Sequence, residues 1–209
     1  MDTKEEILKV AKKKFYTDGF HATTARSIAR ECGIVHSNLF YHYSSMNDIA
    51  LVIMQEFVET SRQAVLSHSK NLTPIELYIA YTIVDIYYMY YDKKFADLCF
   101  EIPEILSDAV YRNAIEEIFP DLNLALEDDN SENIFAYLDF QAVITTQIRT
   151  IFLVKKKNLK LNIKEVVNYI LELKRRIWDI DDDTFEKAIA HSTNVVKKVN
   201  YEELNIFKK

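Results

Sequence analysis

Two glycines and three prolines in 209 residues leave this chain almost no turn chemistry. Sheet-rich folds need many tight turns, and tight turns draw on those two residues. The shortage therefore predicts an all-α chain. Pro74 and Pro103 follow Thr73 and Ile102 at apparent helix starts, where a missing amide hydrogen is harmless, and Pro120 closes another helix. Cysteine is equally scarce. Cys32 and Cys99 fall on helical apolar faces, so no disulfide framework is expected and each reads as a small buried hydrophobe. The five histidines are scattered, without a metal-binding spacing, and the glycines are too few for a phosphate-cradling loop. The paired acids Glu101 with Glu104 and Asp128 with Asp129 have the spacing of solvated surface. No catalytic residue, metal site or cofactor is expected, and the chain does not read as an enzyme. A charged N-terminus and the lack of a bilayer-length apolar run point away from a signal peptide or membrane span, and a cytoplasmic location is expected.

Charge is present but unevenly divided. The formal net charge is −6. Between Lys9 and Tyr43, however, six basic side chains face two acidic ones, so the rest of the chain carries −10. A basic head on an acidic body suits a nucleic-acid binder. A solvated lysine face on the first helix would explain the lysines alone equally well.

Apolar spacing divides the chain into helices. The first is expected over about 4–17, burying Ile7, Leu8, Ala11 and Phe15, and ends at Gly19. A long helix over roughly 46–68, capped by Ser44 or Ser45, connects what precedes it to the body. Thr73-Pro74-Ile75-Glu76 opens a helix to about Asp92 that is apolar and aromatic nearly all round, the pattern of a central bundle helix. A short helix from Phe95 and another over 103–119 follow, then an acidic loop over 121–132. The helix over 133–154 has two usable faces, one for its own core and one for a partner. A basic loop over 155–160, helices over 163–178 and 185–199, and an unassigned tail from Tyr201 complete the chain.

The stretch from Thr23 to Tyr43 carries the most information. Thr23 or Thr24 can cap a short helix whose apolar face is Ile28, Ala29 and Cys32, and Gly33 ends it at positive φ. A second short helix begins at about Val35, with Leu39 and Phe40 inward and His36, Ser37, Asn38, Tyr41 and His42 outward. Two helices about a glycine-bearing turn form a helix-turn-helix, whose second helix can enter the major groove of DNA. From Ile7 to Ile53 the residues Ala11, Phe15, Gly19, Thr24, Gly33 and Tyr43 stand in an order and spacing that resembles the DNA-binding domain of the TetR family of bacterial transcriptional regulators.

That resemblance implies a three-helix DNA-binding domain over 1–47 and a helical ligand-binding and dimerisation domain over 48–209. It implies a ligand-responsive regulator, a repressor by expectation, that binds a palindromic double-stranded operator as a homodimer. The interface would be a four-helix arrangement of the helices over 133–154 and 163–178. The alternative is an all-α interaction or scaffold protein that keeps a helix-turn-helix without using it. By the family's pattern Arg26 reads a base edge, Ser37 and Asn38 suit base edges, and Thr24 and His42 hold phosphate, with His36 and Tyr41 beside them. Phe40, Met46 and Val35 depart from the family's usual tyrosine, lysine and serine, and the first two departures remove phosphate contacts. An effector pocket between bundle helices is implied as well. Its candidates by position are Phe57, Tyr81, Tyr88, Phe100, Tyr137, Gln141 and Arg149, and the expected small-molecule effector is apolar or aromatic, with an anionic group favoured if Arg149 faces inward.

Overall fold

The computed structural model describes residues 2–119 and 131–207. All regular structure in those residues is helical, as the shortage of glycine and proline predicts. The acidic stretch read as a loop lies outside the described residues except for its end, which already belongs to a helix, and Pro120 lies outside them too.

The head consists of α1 (Thr3–Asp18), α2 (Ala25–Glu31) and α3 (His36–His42). Asp2 caps α1 in a capping box with Glu5, and Gly19 stops it at φ 94, a conformation that strains any residue with a Cβ. Gly33 makes the turn between α2 and α3 at φ 68. Ser45 caps α4 (Met46–His68), whose Ile49, Ala50 and Ile53 are buried with the head's Ile7, Phe15, Ile28 and Leu39. One apolar cluster runs on without a break through α4 into the body, so the head is packed onto the body.

The body is built around α5 (Pro74–Tyr91), which packs against α4, α6 (Lys93–Glu101), α8 (Arg112–Ile118), α9 (Ser131–Lys156), α10 (Ile163–Ile177) and α11 (Asp182–Val196). A helix with so many neighbours needs apolar residues on most faces, and α5 has them. Its Glu76 completes the Thr73 capping box, and its Oε1 lies 2.8 Å from His191 Nδ1 on α11. Asp92 closes α5 and caps α6. Between α6 and α8 the chain makes a short helical turn, α7 (Pro103–Ile105), and then wide π-type turns over Leu106–Tyr111. Such turns shift the register of the side chains that follow, here aiming Tyr111 at Asp85.

The unassigned tail proves structural. Leu204, Ile206 and Phe207 are buried, and the Phe207 ring stacks on Tyr16 of α1 at 5.0 Å between centroids. Tyr201 stacks on Tyr87 of α5 at 5.7 Å. The tail is thus pinned at one end to the body and at the other to the head. No helix among the described residues is long and apolar enough to cross a membrane.

Candidate nucleic-acid interface and effector cavity

Seven residues at 100° per step decide which side chains α3 can show. Leu39 takes the inward position and is fully buried. His36, Ser37, Phe40 and Tyr41 then share an exposed arc, while Asn38 and His42 lie half-buried side by side between that arc and Leu39. Phe40, expected inward, is therefore corrected: it is 39 % exposed, because a helix this short has room for one deep anchor. Its ring meets His36 edge-on at 5.0 Å, and Tyr41, 83 % exposed, meets His42 edge-on at 5.2 Å. Phe40 is the residue that the pattern of apolar spacing misplaces. An apolar ring on this arc can touch a thymine methyl group.

Arg26 is exposed near the start of α2. Thr24 caps that helix: its Oγ1 accepts from Ser27 N–H at 3.1 Å, and its own N–H donates to Ser27 Oγ at 3.3 Å. The cap is exposed at a helix N-terminus, where the dipole favours a phosphate. The lysines of α1 behave differently from a row of phosphate contacts. Lys12 pairs with Glu56, and Lys14 and Lys13 pair with Glu31 at 2.8 and 3.2 Å. Part of the head's positive charge is neutralised within the protein.

Over residues 7–53 the chain matches the family described as bacterial regulatory proteins, tetR family. Residues 7–53 are a tetR-family DNA-binding domain. The matched residues hold the helix-turn-helix, which is the DNA-binding element of that domain. Among solved structures the chain is similar to the multidrug binding protein EbrR complexed with imidazole, at 14 % identity over 83 % of this chain and 95 % of that chain, with a TM-score of 0.49. It is also similar to AmtR of Mycobacterium smegmatis, at 19 % identity over 94 % of this chain and 95 % of that chain, with a TM-score of 0.46. Comparison with curated proteins gives no match.

Within the body a narrow cavity of about 30 Å³ lies between α4, α5, α8, α9 and α10. That is room for roughly one water molecule. Its apolar walls include Val58, Ile115, Ile118 and Ile144, but its polar content is unusual for a core. Lys174 is only 3 % exposed; its ammonium donates to Thr82 Oγ1 at 2.9 Å and lies 4.6 Å from the centre of the Tyr78 ring. Asp85, 6 % exposed, accepts from the Tyr111 hydroxyl. The Ser61 and Tyr78 hydroxyls and Gln147 Oε1 are buried around the same space without a hydrogen-bond partner, and the Tyr81 hydroxyl, beside the Arg62 guanidinium, keeps its own O–H to donate. Burial dominates the ionisation of both charges. It pushes Asp85 up to about 7, against the pull of Lys174 and Tyr111, and it pushes Lys174 down to about 7, against the pull of Asp85.

The seven effector candidates do not converge. Tyr81 lines the cavity. Phe57 and Tyr88 pack with Phe95 in an aromatic cluster, with Phe57 4.4 Å from Phe95 and 5.1 Å from Tyr88. Phe100 lies edge-on to Phe152 at 5.1 Å, and the Arg149 guanidinium sits over that same Phe152 ring at 4.7 Å. Arg149 faces outward on α9, so the inward cation is Lys174 instead. Tyr137 and Gln141 are half-buried near the start of α9. A signal for the cavity does exist in the sequence: Lys174 continues the apolar stripe of Val167, Ile170 and Leu171, where a charge has no ordinary reason to be.

A contact between head and body completes the site. Glu101, at the end of α6, accepts from His21 N–H at 2.8 Å through Oε2. Its Oε1 would lie 2.9 Å from a Cβ at position 19, so a side chain there would push the carboxylate from its present position. The loop between α1 and α2 is thereby held by the body helix that follows α5.

Proposed function

We propose that this tetR-family chain is a ligand-responsive repressor that binds a palindromic operator as a homodimer and releases it when a small molecule enters the body. The observation that carries the reading is the buried polar cavity beside α5 and α10, in a body packed continuously onto a DNA-binding head. A core that served stability alone would exclude Lys174 and Asp85, since unpaired buried charge is costly. Entry of a ligand must widen the cavity and displace the helices around it. The Glu101 contact is one direct route by which movement of α6 reaches the DNA head. The two heads would then leave the spacing that matches successive major grooves, a shift between populations that bind and do not bind.

The dimer is supported by apolar surface. Phe135 is 65 % exposed, Leu138 52 % and Tyr169 54 %, on α9 and α10. Exposed apolar side chains on two neighbouring helices suit a two-fold four-helix interface. Selection of binding sites from a random DNA library should return inverted half-sites about one helical turn apart, and light scattering should give a dimer at micromolar concentration. A monomer, or a library with no enriched sequence, would favour a scaffold role with an unused helix-turn-helix.

The route through Glu101 has its own test. Glu101→Ala should leave operator affinity without effector near that of the natural protein. It should weaken the effector's influence by about 1 kcal/mol, roughly fivefold. Anisotropy titrations of operator DNA with and without effector measure both; an unchanged effector response would remove Glu101 from the coupling route.

A further inference from the structure

The cavity is narrow, but its polar groups are strongly biased. Four of them can donate a hydrogen bond into it: the Lys174 ammonium and the hydroxyls of Ser61, Tyr78 and Tyr81. One obligatory acceptor, Gln147 Oε1, faces the same space. Asp85 is already engaged by the Tyr111 hydroxyl, so it is the less available of the two charges. Ser61, Tyr78, Gln147 and Lys174 are all more than nine-tenths buried, and for the first three the polar atom has no partner. Buried donors without partners destabilise the fold, and a ligand acceptor would remove that cost.

Resting on the regulatory reading above, we propose that this cavity receives a small organic monocarboxylate, its anionic head taken by Lys174, Ser61, Tyr78 and Tyr81 and its apolar body lying against α8. A cation would place its charge beside Lys174 and leave the hydroxyl donors unanswered. A neutral apolar molecule would bury the same donors still unpaired. A carboxylate answers the ammonium and can accept from two hydroxyls besides. Its carbon skeleton would meet Val58, Ile115, Ile118 and Ile144. The space now present is too small for such a molecule, so binding must move α8 outward, a seven-residue helix that follows directly on the π-type turns. Displacement of α8 is how occupancy would be felt by the rest of the body.

The test uses the full-length protein and three matched probe sets: benzoate and phenylacetate, their neutral amides, and benzylamine. Trp178 is the sole tryptophan, and its ring lies 5.8 Å from that of Tyr78, so its fluorescence reports entry. Carboxylates should bind at least roughly tenfold more tightly than their amides, with benzylamine weaker still. Lys174→Met should abolish the preference. Tyr81→Phe, a half-buried position where loss of one hydroxyl spares the fold, should weaken carboxylates several-fold and leave amides unchanged. Amides or benzylamine binding as tightly as carboxylates, a preference that survives in both variants, or no carboxylate binding at millimolar concentration would overturn the proposal. Operator binding followed in parallel separates the two readings. Release of operator by an amide or amine alone would keep the regulatory reading and sink the carboxylate. Absence of selective DNA binding would sink the regulatory reading whatever the probes do.

Discussion

The double variant Asp85→Leu with Lys174→Met is expected to be more stable than the natural protein by about 1–4 kcal/mol while losing its response to effector. Both side chains are nearly fully buried, and the structure shows no direct ion pair between them to offset the loss of hydration. Leucine and methionine keep approximately the same volume and need no partner. Asp85→Leu alone should do the opposite, costing about 1–3 kcal/mol, because the buried Tyr111 hydroxyl loses its acceptor while the Lys174 ammonium stays buried. Urea denaturation of the three proteins measures this. A double variant less stable than Asp85→Leu alone would show that the pair is structural, and the functional reading of the cavity would lose its main support.

The pH dependence follows from the same two groups. Asp85 holds its proton in the folded state up to about pH 7, against an ordinary 3.8, so its contribution to stability is fully present below 3.8 and is lost as pH rises through about 7. Lys174 is the mirror case. Its folded value of about 7 lies below the ordinary 10.5, so its contribution is present above 10.5 and is lost as pH falls through about 7. The two slopes meet near neutrality, where the pair is least favourable. The titratable neighbours Tyr111 and Cys99 are themselves held protonated by burial and do not change charge in this window. In the double variant this trough near pH 7 should disappear.

Sequence patterns carried the fold further than the site, and the reason lies in what each depends on. Helix boundaries follow from local chemistry. Ser45, Thr73, Asn162 and Asp181 cap their helices as their side chains allow, and Gly19 and Gly33 take the positive φ values that end or turn the chain. The outward arc of α3 was legible for the same reason, except at Phe40, where a preference for burying aromatics outweighed the angular position. The cavity was not legible, because it depends on which faces of five helices meet. Candidates chosen for being aromatic were drawn from faces that pack elsewhere: Phe57 and Tyr88 toward Phe95, Phe100 toward Phe152. Lys174 and Asp85 were visible as charges in apolar stripes, and polar residues out of pattern, rather than aromatic residues in it, would have located the cavity. The tail after Val199 gave no periodic signal at all, since Leu204, Ile206 and Phe207 are buried from turns rather than from a helix.

Arg26→Ala should weaken operator binding by about 1–3 kcal/mol per half-site and leave binding to random DNA nearly unchanged. The side chain is exposed on α2 just beyond the Thr24 cap, where a bidentate bond to guanine is within an arginine's reach. In the dimer proposed above both half-sites of the operator are affected at once, so the substitution is felt twice. That makes it the largest single change expected in the DNA head. Met46→Lys is the contrasting case. Met46 opens α4 and is half-buried, and a lysine there can keep its alkyl chain on the protein while its ammonium reaches solvent or phosphate. It should strengthen operator and random DNA by a similar factor. It should also steepen the dependence of log affinity on log salt by roughly one unit per added phosphate contact. Anisotropy on both DNAs across a salt series measures the two variants together. Equal weakening of both DNAs by Arg26→Ala would make it a positioning residue rather than a reader. An unchanged salt slope for Met46→Lys would place the first turn of α4 away from the phosphates, and the shortage of backbone contacts in this head would then rest on Phe40 and on the lysines of α1 already held by Glu31 and Glu56.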